Sequence, residues 1–267
     1  MICRKLIIVA LCLISVKSFY AQVTIEKRIN IDSTIVDYYD IIFKIKRLIT
    51  DDPENIYYYR VLGDSYYSLN DYDSAEFFYK EAYYITKYKI KDENEVLEIN
   101  NRLGYINLLN ERYKQSIGFF EQSLSIDSLN LFANYQIAKS YEKIGNYEVT
   151  LNYFNRVNKL EYNYNQVFNE IGKAYFNLNE FELSKESFEK SLVLDSTNCE
   201  SYLNLGNLLF IEKDFINSEL KYINAFNYCE SKNKEMARQQ LIIIYKINGD
   251  KKKIKKLKKN QLLNIEK

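Results

Sequence analysis

The chain has 267 residues, of which 47% are hydrophobic and 27% charged, with a net charge of +1. It contains no histidine, which removes the commonest general base and the commonest metal ligand. One proline and seven glycines leave little room for long loops or flexible linkers, so most of the chain is expected in regular structure.

Residues 1–21 come first. Met1–Lys5 is a short positive start, Leu6–Val16 is apolar, and Lys17–Gln22 turns polar and aromatic. The apolar run is too short to cross a bilayer core of about 30 Å as a helix. It fits a secretory signal cut after Ala21, leaving a periplasmic, envelope-associated or secreted chain. Lipid attachment at Cys12 is disfavoured by the bulky Leu11 before it. Residues 22–53 read as a lead-in and a half unit, with a helix over 36–50 and a turn at the only proline, Pro53.

From there a pattern recurs. Five pairs of aromatic residues stand seven positions apart: Tyr72/Tyr79, Tyr113/Phe120, Tyr147/Phe154, Phe181/Phe188 and Phe215/Tyr222. Each pair follows a small residue by nine and sixteen positions: Gly63, Gly104, Ala138, Gly172 and Gly206. With aromatics at 15% of the chain, such agreement arises by chance about once in 10⁸, so this is an internal repeat. The units are placed at 54–96, 97–130, 131–164, 165–198 and 199–232, followed by capping helices and a basic tail over 233–267. Within 165–198, Phe168, Ile171, Ala174 and Tyr175 fall at helical spacing. So do Phe181, Ser184, Phe188 and Ser191, and each unit is therefore a helix hairpin. A glycine in mid-helix costs about 1 kcal/mol against alanine, which is tolerable where a neighbouring helix must come close. The step from Gly63 to Gly104 is 41 residues instead of 34, an insertion near Lys87–Glu95, taken as a long second helix or an exposed loop.

These residues carry a resemblance. Tyr59-x-x-Leu62-Gly63-x-x-Tyr66 followed by Ala75, Tyr79 and Ala82 is similar to the tetratricopeptide repeat, as is Phe168-x-x-Ile171-Gly172-x-x-Tyr175 followed by Ser184, Phe188 and Ser191. Tyr202-x-x-Leu205-Gly206 with Ser218, Tyr222 and Ala225 agrees. Serine often replaces alanine, and the family's closing proline is missing from all five units. The resemblance implies an all-α, right-handed α-solenoid of tandem helix-turn-helix units, in which first helices line a concave, partner-binding face. It implies a non-enzymatic scaffold or adaptor that binds a protein or peptide segment. Candidate contacts are Tyr57, Arg60, Asp64 and Tyr67; then Asn101, Tyr105 and Leu108; then Tyr135, Lys139 and Glu142; then Asn169, Lys173 and Phe176; then Leu203, Asn207 and Phe210. Lysine and asparagine at set slots form the clamp that some members use for chaperone C-termini. Asp64 and Phe132 occupy two of those slots here.

No catalytic residue, cofactor or metal is expected, because no phosphate-binding glycine loop or ligand cluster is present. The competing enzymatic reading would place a site in the insertion over 87–95. Cys199 and Cys229 open and close one hairpin, whose antiparallel helices bring those ends to one side. They are nevertheless read as two unpaired small residues, since the close Cα approach of a disulfide is rarely met by accident. Charge is unevenly spread. Residues 246–267 hold nine basic and two acidic residues, +7; residues 22–245 hold 25 basic and 34 acidic, −9. The run Lys251–Lys259 is thus a candidate for an anionic membrane surface, with Ile254 and Leu257 packing inward; no nucleic-acid partner is expected of so acidic a body.

Overall fold

The computed structural model describes residues 37–90, 92–160 and 165–258. The leader expected at 1–21 lies outside the described residues, as does Lys259. The described residues form α1 Tyr38–Asp51, α2 Ile56–Ser68, α3 Tyr72–Ile85, a π-helical turn Thr86–Ile90 and α4 Glu93–Leu109. There follow α5 Tyr113–Ile126, α6 Leu131–Ile144, α7 Tyr147–Leu160, α8 Asn165–Asn177, α9 Phe181–Leu194, α10 Cys199–Ile211, α11 Phe215–Tyr228, α12 Ser231–Ile247 and α13 Lys251–Lys258. No strand occurs among them. The chain divides into two compact units, one up to Ile106 and one from Asn107 onward.

Two kinds of turn, each with its own chemistry, recur among the described residues. The turn inside each repeat uses one residue in the left-handed region: Asn70, Glu111, Gly145, Asn179 and Lys213, and Gly249 in the cap. The amide after it reaches back to a carbonyl five residues earlier, as Glu180 does to Tyr175 at 3.0 Å and Asp250 to Tyr245 at 2.8 Å. That geometry closes the orphan carbonyls of a helix end. Ahead of α6 and α10, an Asp-x-x-Asn pair does the work of the missing proline. At Asp195, the carboxylate accepts from the Thr197 amide at 2.9 Å, and Asn198 then caps α10 by accepting from the Ser201 amide at 3.0 Å. Asp127 and Asn130 repeat this ahead of α6, with acceptor distances of 3.0 and 2.9 Å. Asn55 likewise caps α2, accepting from Tyr57.

The small-residue slots are filled by rings. A Cβ added to Gly172 would meet the Phe188 ring at 2.6 Å, and one added to Gly206 would meet Tyr222 at 2.8 Å; Gly63 lies closer still to Tyr79. All five second-slot aromatics, Tyr79, Phe120, Phe154, Phe188 and Tyr222, are buried. Burying such a side chain contributes about 1.5–3 kcal/mol. The serines that depart from the family pattern have a cause in the same crossing. Ser184 Oγ donates to the Gly172 carbonyl at 2.8 Å and Ser218 Oγ to the Gly206 carbonyl at 2.9 Å. A hydroxyl fits where alanine would, and its hydrogen bond offsets the cost of burying it.

The described part of the insertion is mostly helical. After α3 the chain continues through the π-helical turn, and α4 begins at Glu93. Lys89 pairs with Glu54 at 2.6 Å and Glu95 with Arg60 at 2.6 Å, so both ends of the inserted stretch are tied to the preceding hairpin.

Cys199 and Cys229 are bridged, with Cα atoms 5.1 Å apart, which corrects the reading of two unpaired thiols. The hairpin α10–α11 is closed so tightly by Gly206 against Tyr222 that its outer ends fall within disulfide range. At the C-terminal end, Leu257 is fully buried and Ile254 packs on the cluster containing Leu241, Ile244 and Tyr245.

Candidate partner-binding face

On the first helices, a residue's distance from the small slot decides its neighbours. Three positions before it, Arg60, Asn101, Asn169 and Leu203 are all buried, so these four candidates present almost no surface to a partner. Arg60 is held by Glu95. Asn169 sits in a polar chain, donating to Glu200 at 3.2 Å and accepting from Ser201 at 3.2 Å and Asn204 at 3.0 Å. Tyr135, at the same position of its own unit, is only half-buried.

One position after the slot, the second-helix aromatic sets the chemistry. Where that aromatic is a tyrosine, its hydroxyl needs an acceptor. Tyr79 donates to Asp64 at 2.6 Å, and Tyr222 donates to Asn207 at 2.7 Å. Burial, followed by the Asp64 carboxylate, pushes the Tyr79 hydroxyl well above its ordinary value and keeps it protonated. Asp64 also accepts from Arg102 Nε at 3.0 Å. Where the aromatic is phenylalanine, as at Phe154 and Phe188, the same position carries Lys139 and Lys173.

These two lysines form a closed charge box. Lys139 pairs with Glu142 and, at 2.8 Å, with Glu170; Lys173 pairs with Glu170 at 3.0 Å and Glu142 at 3.4 Å. Burial opposes ionisation of Glu142, but the two ammonium groups outweigh it and hold its carboxyl below the usual carboxylate range. For Lys173, burial favours the neutral amine, and the Glu170 and Glu142 carboxylates overcome that and raise its pKa. The two ammonium groups and two carboxylates of the box cancel one another, and Glu200 lies near Lys173 as a further carboxylate.

Aromatic candidates lie further along. In the N-terminal unit Tyr67 stands 5.7 Å from Tyr72 and 6.2 Å from Tyr105 between ring centres, and burial followed by Tyr105 raises its hydroxyl pKa. Tyr57 lies under the Arg60 guanidinium, 5.6 Å from ring centre. In the C-terminal unit Tyr135 meets Phe154 edge-on at 5.5 Å, Phe176 meets Phe181 at 5.7 Å, and Phe210 meets Phe215 at 5.3 Å. Each of these candidates, and Leu108 with them, keeps part of its side chain exposed. Sequence reasoning missed Arg102, Glu170 and Glu200. Their signal is a fixed offset between neighbouring units. Lys139 to Glu170 and Asn169 to Glu200 are both 31 residues apart, and Asp64 to Arg102 is the same offset plus the seven-residue insertion.

Among the described residues no group of three or more Cys, Asp or Glu side chains is placed to hold a metal. No helix among them is long and apolar enough to cross a membrane.

Comparison with known proteins agrees with this geometry. The family model for the tetratricopeptide repeat matches residues 57–88 and 166–198. The C-terminal part of a repeat-containing protein of this kind from Cytophaga hutchinsonii is 21% identical, with a TM-score of 0.67 over 91% of this chain and 93% of its own. PilF of Pseudomonas aeruginosa gives 17% identity and a TM-score of 0.62 over 76% and 88%. YrrB, described as having an unusual peptide-binding site, gives 16% and 0.57 over 73% and 96%. No curated protein sequence matches the chain. The protein is an all-α solenoid of tandem helical hairpins, and two stretches of it match the tetratricopeptide-repeat model.

Proposed function

We propose that the protein is an exported adaptor that holds an apolar or aromatic segment of a partner protein along the first helices of its C-terminal unit. The observation that carries this is the pairing of the charges there. Lys139, Lys173, Glu142 and Glu170 neutralise one another, while Tyr135, Phe176 and Phe210 keep exposed edges. A groove of this make-up rewards aromatic and aliphatic side chains together with backbone hydrogen bonds, and offers little to a strongly acidic peptide. YrrB, described as having an unusual peptide-binding site, gives peptide binding a precedent on this fold. Export is supported by the Cys199–Cys229 bridge, because structural disulfides persist in oxidising compartments, and by the leader-like composition of residues 1–21. The repeat fold is an interaction module, and the stretch at 87–95 is engaged through Lys89 and Glu95 in ion pairs, which favours a non-catalytic role over an inserted active site.

The test is selection from a displayed random-peptide library, with the intact protein as bait and a Tyr135→Ala, Phe176→Ala, Phe210→Ala triple variant as the counter-bait. Selected peptides are expected to carry aromatic or branched apolar anchors. They should bind the native protein equally in low salt and in about 1 M salt, where the Debye length is about 3 Å. Against the variant, still helical by circular dichroism, they should lose at least tenfold in affinity. Acidic peptides released by salt, or peptides that bind both baits equally, would overturn the proposal.

A further inference from the structure

The geometry of α13 points to a second docking surface, for an anionic lipid membrane. Six of its eight residues are lysines, and they do not share one task. Lys253 is structural: its ammonium pairs with Glu219 at 2.7 Å and lies 5.0 Å from the Tyr245 ring centre. Lys251, Lys252, Lys255, Lys256 and Lys258 are exposed, and no described acidic group pairs with any of them. At 100° per residue these five span an arc of about 160°, opposite Ile254 and the fully buried Leu257. The helix is therefore pinned by one face and presents the other, about 12 Å long, as a fixed array of five charges.

Stability alone does not explain that array. Lys251 and Lys252 occupy the first turn, where the helix dipole disfavours cations. Lys251/Lys255 and Lys252/Lys256 are like-charged pairs four apart, each weakly destabilising. An anionic surface relieves both effects.

Two observations favour lipid over a nucleic acid. Just ahead of the lysine helix, α12 carries Ile243 and Ile247 on one stripe, 41% and 54% exposed, with Ile247 four residues before Lys251. Apolar side chains beside lysines suit the headgroup boundary of a bilayer, whereas a polyanion in water gains nothing from them. The disulfide at Cys199–Cys229 fits an oxidising compartment, where membranes are met and nucleic acid is not.

The experiment is co-sedimentation of the full-length protein with vesicles of phosphatidylcholine alone and of phosphatidylcholine mixed with phosphatidylglycerol. It compares the native chain with a variant carrying glutamine at 251, 252, 255, 256 and 258. Glutamine keeps the helix and relieves the like-charge pairs, and Lys253, Ile254 and Leu257 are untouched, so a melting temperature equal to or above the native one confirms the fold. Each lysine is worth about fivefold near an anionic leaflet, so the five together give on the order of 10³-fold. The native protein should prefer anionic over neutral vesicles by a factor of that order, and lose the preference in about 1 M salt. The glutamine variant should bind both vesicles alike. Ile247→Asp should weaken anionic binding with all lysines in place. No anionic preference in the native protein, the same preference in the glutamine variant, or tighter binding to a DNA oligonucleotide than to the vesicles would each overturn the assignment.

Discussion

Replacing Gly172 with alanine sets two effects of opposite sign against each other. Intrinsic helix propensity favours alanine in a helix interior by about 1 kcal/mol. The added methyl, however, lands 2.6 Å from two carbons of the Phe188 ring, which is itself buried. Carbon atoms rest at about 3.5–4.0 Å, so ring or helix must move by about 1 Å. Forcing an extra methyl into a filled core costs about 1–3 kcal/mol. The net expectation is destabilisation by about 1 kcal/mol, a fall in Tm of about 2–4 °C for a chain of this size. The counterpart position shows that the fit, not the methyl, is at issue: Ala138 lies fully buried with Phe154 in its own hairpin. Adding Phe188→Leu should therefore rescue Gly172→Ala, with a favourable coupling of about 1 kcal/mol in a double-mutant cycle read by urea denaturation. A Gly172→Ala protein more stable than the parent, or strictly additive variants, would refute the claim that the small slots exist to admit the ring.

Reducing the Cys199–Cys229 bridge opens a loop of 30 residues. The loop-entropy relation then gives a loss of about 3.6 kcal/mol, so dithiothreitol should lower the Tm of the native protein and leave that of a Cys199→Ser/Cys229→Ser variant unchanged. Glu111 and Lys213 hold left-handed backbone without being glycine or asparagine; glycine at either should raise stability by about 0.5–1 kcal/mol, measured by thermal denaturation. The Glu142 carboxyl is held low by Lys139 and Lys173, so its contribution is complete above its unfolded value of about 4.3 and is lost as pH falls through the lower folded value. The Lys173 ammonium is held high, so its contribution is complete below about 10.4 and is lost as pH rises through the higher folded value. A denaturation series should thus show the native protein losing stability on acidification through the Glu142 range, and Glu142→Gln losing less over the same interval.

The repeat pattern announced most of the fold because packing made it. Ring and small residue must alternate at one spacing if successive hairpins are to close alike, and Gly172 under Phe188 and Gly206 under Tyr222 are that rule in atoms. The turns were partly legible. Asp195-Ser196-Thr197-Asn198 reads as a turn from its self-bonding side chains, whereas left-handed Glu111 and Lys213 carry no such signature. The face was less legible. Slot positions alone grouped buried Asn169 with half-exposed Phe176, since burial depends on the helix of the next unit. Asp64 and Asn207 looked like contacts until the tyrosines behind them were taken into account: each accepts the hydroxyl that its hairpin's second helix brings. The disulfide escaped because its Cα approach follows from hairpin closure, a distance that no spacing in sequence states.

Site-specific photocrosslinking tests the adaptor reading most directly. A benzophenone side chain is placed at 176, on the proposed partner-binding face, and in a separate protein at 193, where Val193 is 85% exposed on α9. Both are expressed in the source cells, irradiated, and analysed for covalent adducts. The account predicts a discrete partner adduct from position 176, its yield unchanged by high salt, and none from position 193. Adducts of equal yield from both positions, or from 193 alone, would contradict it.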